Sequence, residues 1–328
     1  MNYRDYSLYL YKIFNNENFS EEVVIPNDHW KEFIEFTYDF YKKKLCSFKY
    51  CNDLDVADFE SNNKMIIGYS GGRDSLCSLL KNKESFDVSL IYHCEGLNKS
   101  YRNETNVVND VSKQLNVPCY IHKFESKGKK FYLENPIKNN VIVGLMADIM
   151  CNNNISNCSM GMYMNDSINV INGNDYYSDY REPMELFVKA IKKTFINFNF
   201  VYAFNEQCDA VYYLLKNHRD KLELLQSCML PDMYRKSLSA KNKDKFGIDI
   251  LKNRCGCSCR KCIQELYQIA YFDKKVLDSD LNKHCIDFLK KDLKKITNVN
   301  TKNMTDDEIL NSYFNFESFK KLIETVNK

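Results

Sequence analysis

Residues 64–80 read KMIIGYSGGRDSLCSLL, and this stretch decides the fold that the sequence predicts. Its first half, MIIGY, is a short apolar run of the kind that forms a buried strand. Its last residues, LCSLL, have a helical pattern, and the two halves are joined by Gly71 and Gly72, which let the backbone turn sharply. The stretch therefore predicts a strand, a glycine turn and a helix in direct succession.

The glycine turn has the chemistry of a phosphate-binding loop. Consecutive N–H groups of such a turn can face an anion, and the following helix directs the positive end of its dipole to the same place. Ser70 and Ser75 add hydroxyl donors, while Asp74 can organise the turn or hold Mg²⁺. The spacing lacks the lysine of the Walker A pattern and differs from the dinucleotide fingerprint. The alternative is a glycine turn whose polar residues are incidental.

Outward from this stretch, apolar runs alternate with helical patterns. The predicted strands are MIIGYS (65–70), VSLIYHC (88–94), PCYIHKF (118–124) and ISNCSMGMYM (155–164). The predicted helices between them are LCSLLKN (76–82), ETNVVNDVSKQLN (104–116) and VIVGLMADIMCNN (141–153). Such alternation predicts an α/β fold with a parallel sheet and helices on both faces. After about residue 184 the pattern becomes mainly helical.

The composition is that of a globular chain. Of 328 residues 44% are apolar and 27% charged, which is enough to form a sizeable core. A formal charge of +2 gives no global basic field of the kind that nucleic-acid-binding proteins carry. The N-terminal residues do not resemble a signal peptide, and no apolar stretch reaches the length of a membrane span. We therefore expect a cytoplasmic location, with most of the 14 cysteines as thiols and no membrane partner.

A cysteine cluster near the C-terminus predicts a metal site. The segment RCGCSCRKC (254–262) contains four cysteines, and Cys259 and Cys262 have the spacing that lets two thiolates from one turn bind one zinc ion. An iron–sulfur cluster, a sulfur-carrying thiol pair and a metal-free cluster are the alternatives. The other cysteines, apart from Cys228, lie mostly in apolar or helical contexts, where we expect them to pack as small hydrophobic side chains. The five histidines show no metal or triad spacing.

The SGGRDS loop resembles that of the PP-loop ATP pyrophosphatases, whose SGGxDS motif follows the first strand of a parallel sheet. The resemblance implies a fold like that of the adenine-nucleotide alpha-hydrolases, with ATP cleaved to AMP and pyrophosphate in the presence of Mg²⁺. Ser70, Asp74 and Ser75 would be catalytic. The implied ATP-binding residues are Tyr69, Ser70, Gly71, Gly72, Arg73, Asp74, Ser75 and Gly161.

Within that superfamily the chain resembles the 7-cyano-7-deazaguanine synthases (QueC-like enzymes), which end in a lone cysteine followed by a CGxCxxC cluster. On this resemblance Cys228, Cys255, Cys259 and Cys262 would bind Zn²⁺, with Cys257 as a substitute for Cys255 because one residue is inserted. The stretch SDYREPMELFVKAI (178–191) is similar to one that lies over the substrate, which implies substrate contacts for Asp179, Arg181 and Phe187. Segment 93–104 departs from the family pattern.

The resemblance implies an ATP-dependent ligase that adenylates a 7-deazaguanine carboxylate and couples it to ammonia, giving an amide and then a nitrile. One alternative acceptor for the same activated acid is a protein amine, as in QueC-like enzymes of antiviral operons. A rival function is tRNA sulfur transfer, which PP-loop enzymes with cysteine clusters also perform. Residues 235–261 contain nine Lys or Arg and two Asp, a net charge of +7 that could follow a phosphate backbone. We favour a solvated loop there and expect no nucleic-acid partner. A homodimer would fit the family.

These expectations divide the chain into four segments. Residues 1–63 form an N-terminal extension whose amphipathic helix lies within 28–45, and residues 64–183 form the PP-loop ATP-binding domain. Residues 184–280 form a helical region for substrate and zinc, and residues 281–328 a helical tail. The changed segment 93–104 and the additional N-terminal region are what a different amine acceptor would require.

Overall fold

The computed structural model describes most of the chain. The described residues are 1–14, 22–40, 44, 47–95, 101–123, 137–164, 168–171, 174–177, 181–224, 259–272, 277–297 and 300–313. The strands are β1 (Val23–Ile25), β2 (Phe48–Tyr50), β3 (Lys64–Gly68), β4 (Asp87–Glu95), β5 (Cys119–Lys123), β6 (Asn157–Met160), β7 (Ile168–Ile171), β8 (Asn174–Tyr177) and β9 (Asn199–Val201). The helices are α1 (Tyr3–Phe14), α2 (Asp28–Phe40), α3 (Arg73–Asn82), α4 (Tyr101–Leu115), α5 (Ile137–Asn153), α6 (Arg181–Ile191), α7 (Gln207–Asn217), α8 (Arg260–Phe272), α9 (Ser279–Thr297) and α10 (Asp306–Asn311).

Two compact units can be distinguished. The first contains residues 1–70, 74–167 and 177–206, and the second contains residues 71–73, 168–176 and 207–328. Helices α1 and α2 and strand β9 all belong to the first unit, where α1 packs against α5 and α2 packs against α6. The predicted division of the chain at residues 63 and 183 stays a prediction.

A five-stranded parallel sheet forms the centre of the first unit. Its strand order is β5-β4-β3-β6-β9, with β3, the first of these strands in the chain, in the middle. All four strands predicted from the sequence are present, and Met65, Ile66 and Ile67 are fully buried, as expected for a parallel strand covered on both faces. The arrangement is that of a Rossmann-like α/β fold.

The fifth strand, β9, was not predicted. It is only three residues long and follows a long helical pattern, so its NFV sequence carries little periodic signal. It lies at the edge of the sheet, where β6 is its only partner. The parallel sheet thus extends beyond the stretch of sequence that predicted it.

Helix α5 has no single apolar stripe, and its residues 140–147 are all buried. It packs against β3 and β6, against α6, and against the N-terminal helix α1. A Cβ atom at Gly144 would lie 2.0 Å from the Oγ of Ser7, so α1 and α5 cross at a point where only glycine fits. Helix α2, which confirms the predicted amphipathic helix, packs on α6, and Trp30 and Phe33 meet Phe187 there.

The second unit is mainly helical, as the sequence predicts. Side chains from four helices form its hydrophobic core. They include Val211 of α7, Ile263 of α8, Leu289 of α9 and Ile309 of α10. A capping box starts α10, where Thr305 accepts from the backbone N–H of Glu308 and the Glu308 carboxylate accepts from the Thr305 N–H. Among the described residues, no helix combines the length and the apolar character needed to cross a membrane.

Candidate phosphate-binding site

The predicted phosphate loop follows the central strand, at the carboxyl edge of the sheet. From β3 the chain continues to β4 on one side, whereas β6 lies on the other side, so the strand order reverses between β3 and β6. In open α/β sheets, ligands bind outside the carboxyl ends of the strands at such a switch point. The register places Gly68 level with Tyr92 of β4 and Met160 of β6. The residues that follow these three positions therefore share one edge.

The loop has the conformation that its glycines predict. Gly71 has a φ of 81°, in the left-handed region that side chains other than glycine rarely adopt. The Oγ of Ser75 accepts a hydrogen bond from the backbone N–H of Ser70 at 3.3 Å, and the two serine hydroxyls are also 3.3 Å apart. Helix α3 begins at Arg73, directly after the turn. The loop is thus closed across its base by the side chain of Ser75.

Gly161, the predicted binding residue at the end of β6, touches the start of helix α3. A Cβ atom on Gly161 would lie 2.5 Å from the backbone N of Ser75 and 2.6 Å from the backbone C of Asp74. Both are backbone atoms and cannot move aside as the end of a flexible side chain would. The structure therefore brings the two predicted segments, residues 69–75 and Gly161, into direct contact.

Asp74 is held by a residue that the sequence did not single out. The hydroxyl of Tyr163 donates a hydrogen bond to Oδ1 of Asp74 at 2.5 Å, across 89 positions of sequence. Tyr163 is buried and lies just after β6, where it forms an isolated bridge with Phe204.

His93 is a second residue missed at this edge. Its Nδ1 is 2.9 Å from the carbonyl oxygen of Tyr69, so Nδ1 carries the proton, and its Nε2 is 3.3 Å from the hydroxyl of Thr105. Burial lowers the pKa of His93, while Glu104 and Glu95 act in the opposite direction. His93 thus ties the end of β4 to the residue that precedes Ser70. Histidine spacing alone gave no sign of this contact.

A buried polar network fixes α3 against the sheet. The hydroxyl of Ser159 in β6 donates to the carbonyl of Val201 at 2.6 Å, and the Nδ2 of Asn82 donates to the Ser159 hydroxyl at 3.1 Å. The Ser78 hydroxyl is 3.0 Å from that of Ser159. Because buried hydroxyls and amides must be hydrogen-bonded, these contacts define how the helix after the loop is seated.

Arg73 is nearly buried, and its hydrogen bond lies within the second unit. Its guanidinium donates to the Oε1 of Gln268 in α8. Within this unit Arg73 therefore contacts the helix that begins at the cysteine cluster. The sequence predicted Arg73 only as part of the nucleotide-binding loop.

Two of the predicted metal ligands are described. Cys259 immediately precedes α8 and Cys262 lies in its first turn, and their side chains are 5% and 0% exposed. Cys228, Cys255 and Cys257 lie outside the described residues, and within the described ranges no three His, Cys, Asp or Glu side chains come together as a metal site. Two buried thiols three positions apart at a helix start fit the zinc knuckle, and the complete site stays a prediction.

The remaining described cysteines include several interior ones. Cys77, Cys94, Cys158 and Cys285 are buried, which confirms the small-hydrophobe prediction for these four. Burial raises the pKa of Cys94 to about 12 and that of Cys158 still further, so both are neutral thiols.

The predicted substrate residues are not gathered into a described site. Asp179 lies outside the described residues. Arg181 is exposed at the start of α6, where it forms an ion pair with Glu185 one turn further on. Phe187 is fully buried among aromatic rings of α2, which gives it a packing role. A contact of any of the three with substrate stays a prediction.

Comparison with known proteins gives no family. No protein-family model matches the chain, and no curated protein matches it significantly.

Proposed function

We propose that this protein is an ATP-dependent carbon–nitrogen ligase that adenylates a 7-deazaguanine carboxylate and releases pyrophosphate. Ammonia would then displace AMP to give the amide, and a second ATP would convert the amide to the nitrile, as in the QueC-like enzymes that the sequence resembles. A PP-loop domain with a C-terminal zinc-binding region is the corresponding fold.

One observation carries the proposal. The SGGRDS loop lies at the switch point of a parallel sheet and contacts Gly161 from the neighbouring strand through backbone atoms. A glycine turn followed by a helix start presents N–H dipoles to an anion, and this edge is where nucleotides bind in open α/β sheets. The loop lacks the lysine that Walker A loops extend to the β- and γ-phosphates. This difference favours transfer of AMP over transfer of the γ-phosphoryl group.

The loop residues have separable roles in this reaction. Loop N–H groups and the Ser70 hydroxyl would stabilise the negative charge that develops on the departing pyrophosphate, in a geometry set before substrate arrives. Asp74, oriented by Tyr163, is placed to hold Mg²⁺, which neutralises phosphate charge when bound. The carboxylate oxygen attacks the α-phosphorus, the bond to the pyrophosphate oxygen breaks, and the acyl carbon becomes open to attack by an amine.

The experiment is a product analysis of the purified full-length protein with ATP, Mg²⁺, 7-carboxy-7-deazaguanine and ammonium. Mass spectrometry should show AMP, pyrophosphate and the amide or nitrile. Asp74→Asn should abolish AMP formation, whereas Asp110→Asn, an exposed acidic residue on α4, should leave it unchanged. ADP as the only nucleotide product would contradict the proposal.

The same experiment separates the acceptors. If AMP accumulates only when a partner protein is added and the deazaguanine appears on that protein, the acceptor is a protein amine rather than ammonia. If the acid gives no AMP but a tRNA and a sulfur donor do, sulfur transfer replaces the ligase proposal. Should Asp74→Asn retain full AMP formation, the assignment of the loop fails.

A further inference from the structure

A cleft of about 510 Å³ lies in the first unit, and none of its lining residues belongs to the phosphate loop or the cysteine cluster. It is bordered by the second half of α6, by β9 and the residue after it, and by His29 at the start of α2. Its volume falls within the range of small-molecule sites, about 300–1,000 Å³. The proposed ligase reaction assigns it no role.

One wall of the cleft is aromatic. The rings of Phe200 and Tyr202 lie edge to face, with centroids 5.0 Å apart and planes at 78°, and both are partly buried against the core. Because β9 is an edge strand, no further strand of the described sheet covers this side. A planar ring of a ligand can stack against such a wall.

Some of the charges around the cleft are already neutralised. The ammonium group of Lys189 binds the carboxylate of Glu32 at 2.7 Å, and Glu185 is paired with Arg181. Each pair has no net charge, so neither pair attracts or repels a charged ligand strongly. They also leave no uncompensated carboxylate among the residues that line the cleft.

Lys192 and Lys193 differ from these paired residues. Both are exposed, both line the cleft, and neither forms an ion pair in the part of the chain that the structure describes. Lysines just after a helix interact favourably with its dipole, but this effect does not require them to share a cleft with two aromatic rings. Two adjacent ammonium groups beside an apolar wall match a ligand with an aromatic ring and an anionic group.

We propose that this cleft binds an aromatic anion of mononucleotide size. Its ring would lie against Phe200 and Tyr202, and its phosphate would be bound by Lys192 and Lys193. Its lining shares no residue with the phosphate loop, and AMP binding there does not depend on the ligase activity. Nucleoside monophosphates combine an aromatic ring with a phosphate in this way, and AMP is a suitable probe of the class.

The test combines AMP binding with hydrogen exchange of the full-length protein. AMP should slow exchange of amides within residues 185–202, a region separate in sequence from any protection at residues 69–75. The double variant Lys192→Gln/Lys193→Gln should raise the Kd for AMP at this site about tenfold. A hydrogen bond to a charged group contributes enough binding free energy for a change of this size. The charge-matched control Lys12→Gln/Lys113→Gln, which alters two exposed lysines elsewhere, should bind as the wild type does.

A second pair of measurements tests the aromatic wall. Phe200→Leu should weaken AMP binding, and inorganic phosphate at the same concentration should give much less protection than AMP. Equal protection by phosphate and AMP would overturn the aromatic part of the proposal. Absence of protection in residues 185–202, or wild-type affinity in the double lysine variant, would overturn the site itself.

Discussion

The hydroxyl of Tyr163 donates a 2.5 Å hydrogen bond to Asp74, joining the segment that follows β6 to the first turn of helix α3. The contact orients a carboxylate at the switch point of the sheet. We expect a cation held by Asp74 to be less well placed when this hydrogen bond is absent.

Tyr163→Phe removes the hydroxyl that donates this bond and keeps the aromatic ring. We expect AMP formation to fall about tenfold, because a hydrogen bond to a charged group contributes about 1.5–3 kcal/mol. The measurement is the initial rate of AMP release at saturating ATP and over a range of Mg²⁺ concentrations. Tyr212→Phe, an α7 residue outside the loop contacts described above, is the matched control. An unchanged rate and Mg²⁺ dependence would show that Asp74 needs no orientation by Tyr163.

Gly161→Ala tests the close approach between β6 and α3. The added methyl group would meet backbone atoms of Asp74 and Ser75, so the loop or the strand end must move. We expect the free energy of unfolding to fall by about 2 kcal/mol, as in overpacked cores, and ATP binding to be lost or strongly weakened. Urea denaturation and calorimetric titration with ATP measure the two effects.

Gly68→Ala provides the comparison for this variant. A Cβ atom there would lie 3.2 Å from the Cβ of Met160, a milder overlap than at Gly161, and 3.5 Å from the sulfur of Met146, which is an ordinary contact. We expect a smaller loss of stability and of ATP affinity than for Gly161→Ala. An equal loss in both variants would mean that the loop contact of Gly161 has no special role.

We expect the free energy of unfolding to depend on pH through the titration of His93. Burial lowers the pKa of His93 below its unfolded value of about 6.5, so the unfolded state binds more protons as pH falls below that value. The stability associated with neutral His93 is therefore present above about pH 6.5 and is lost as pH falls toward the folded pKa. Glu95, Glu104 and Lys138 are the charged groups that act on His93.

The check is urea unfolding of the wild type and His93→Asn at pH 7.5 and pH 5.5. Asparagine keeps a donor near the position of Nδ1 but does not titrate, so the other ionisable groups cancel in the comparison. The wild type should lose more stability than His93→Asn between the two pH values. A difference that does not change with pH would show that His93 is not held neutral in the folded protein.

The cysteine cluster predicts bound zinc. We expect elemental analysis of the purified protein to give about one zinc per chain, and Cys259→Ser or Cys262→Ser to lose it together with thermal stability. Cys285→Ser changes a buried cysteine of the same unit that is not a predicted ligand, and it should retain zinc. Iron with acid-labile sulfide would establish a cluster instead, and a metal-free wild type would remove the metal site.

Much of the α/β unit could be predicted because its signals are local. The apolar runs of β3 and β4 predict strands that are buried on both faces of the sheet. The glycines of the loop predict the turn, and Gly71 has the positive φ that glycine favours. Strand β9 could not be predicted, because three residues carry no periodicity. The position of α1 was also missed, since its contact with α5 depends on Ser7 meeting Gly144 across a long stretch of chain.

The sequence by itself determined a parallel α/β fold, a sharp glycine turn between a strand and a helix, and a pair of cysteines at zinc-knuckle spacing. Each of these depends on residues that are neighbours in the chain. Only the tertiary structure decided that Tyr163 orients Asp74, that His93 binds the carbonyl before Ser70, and that Gly161 lies against the loop. These contacts follow from strand order and register, which bring residues far apart in sequence to one edge of the sheet.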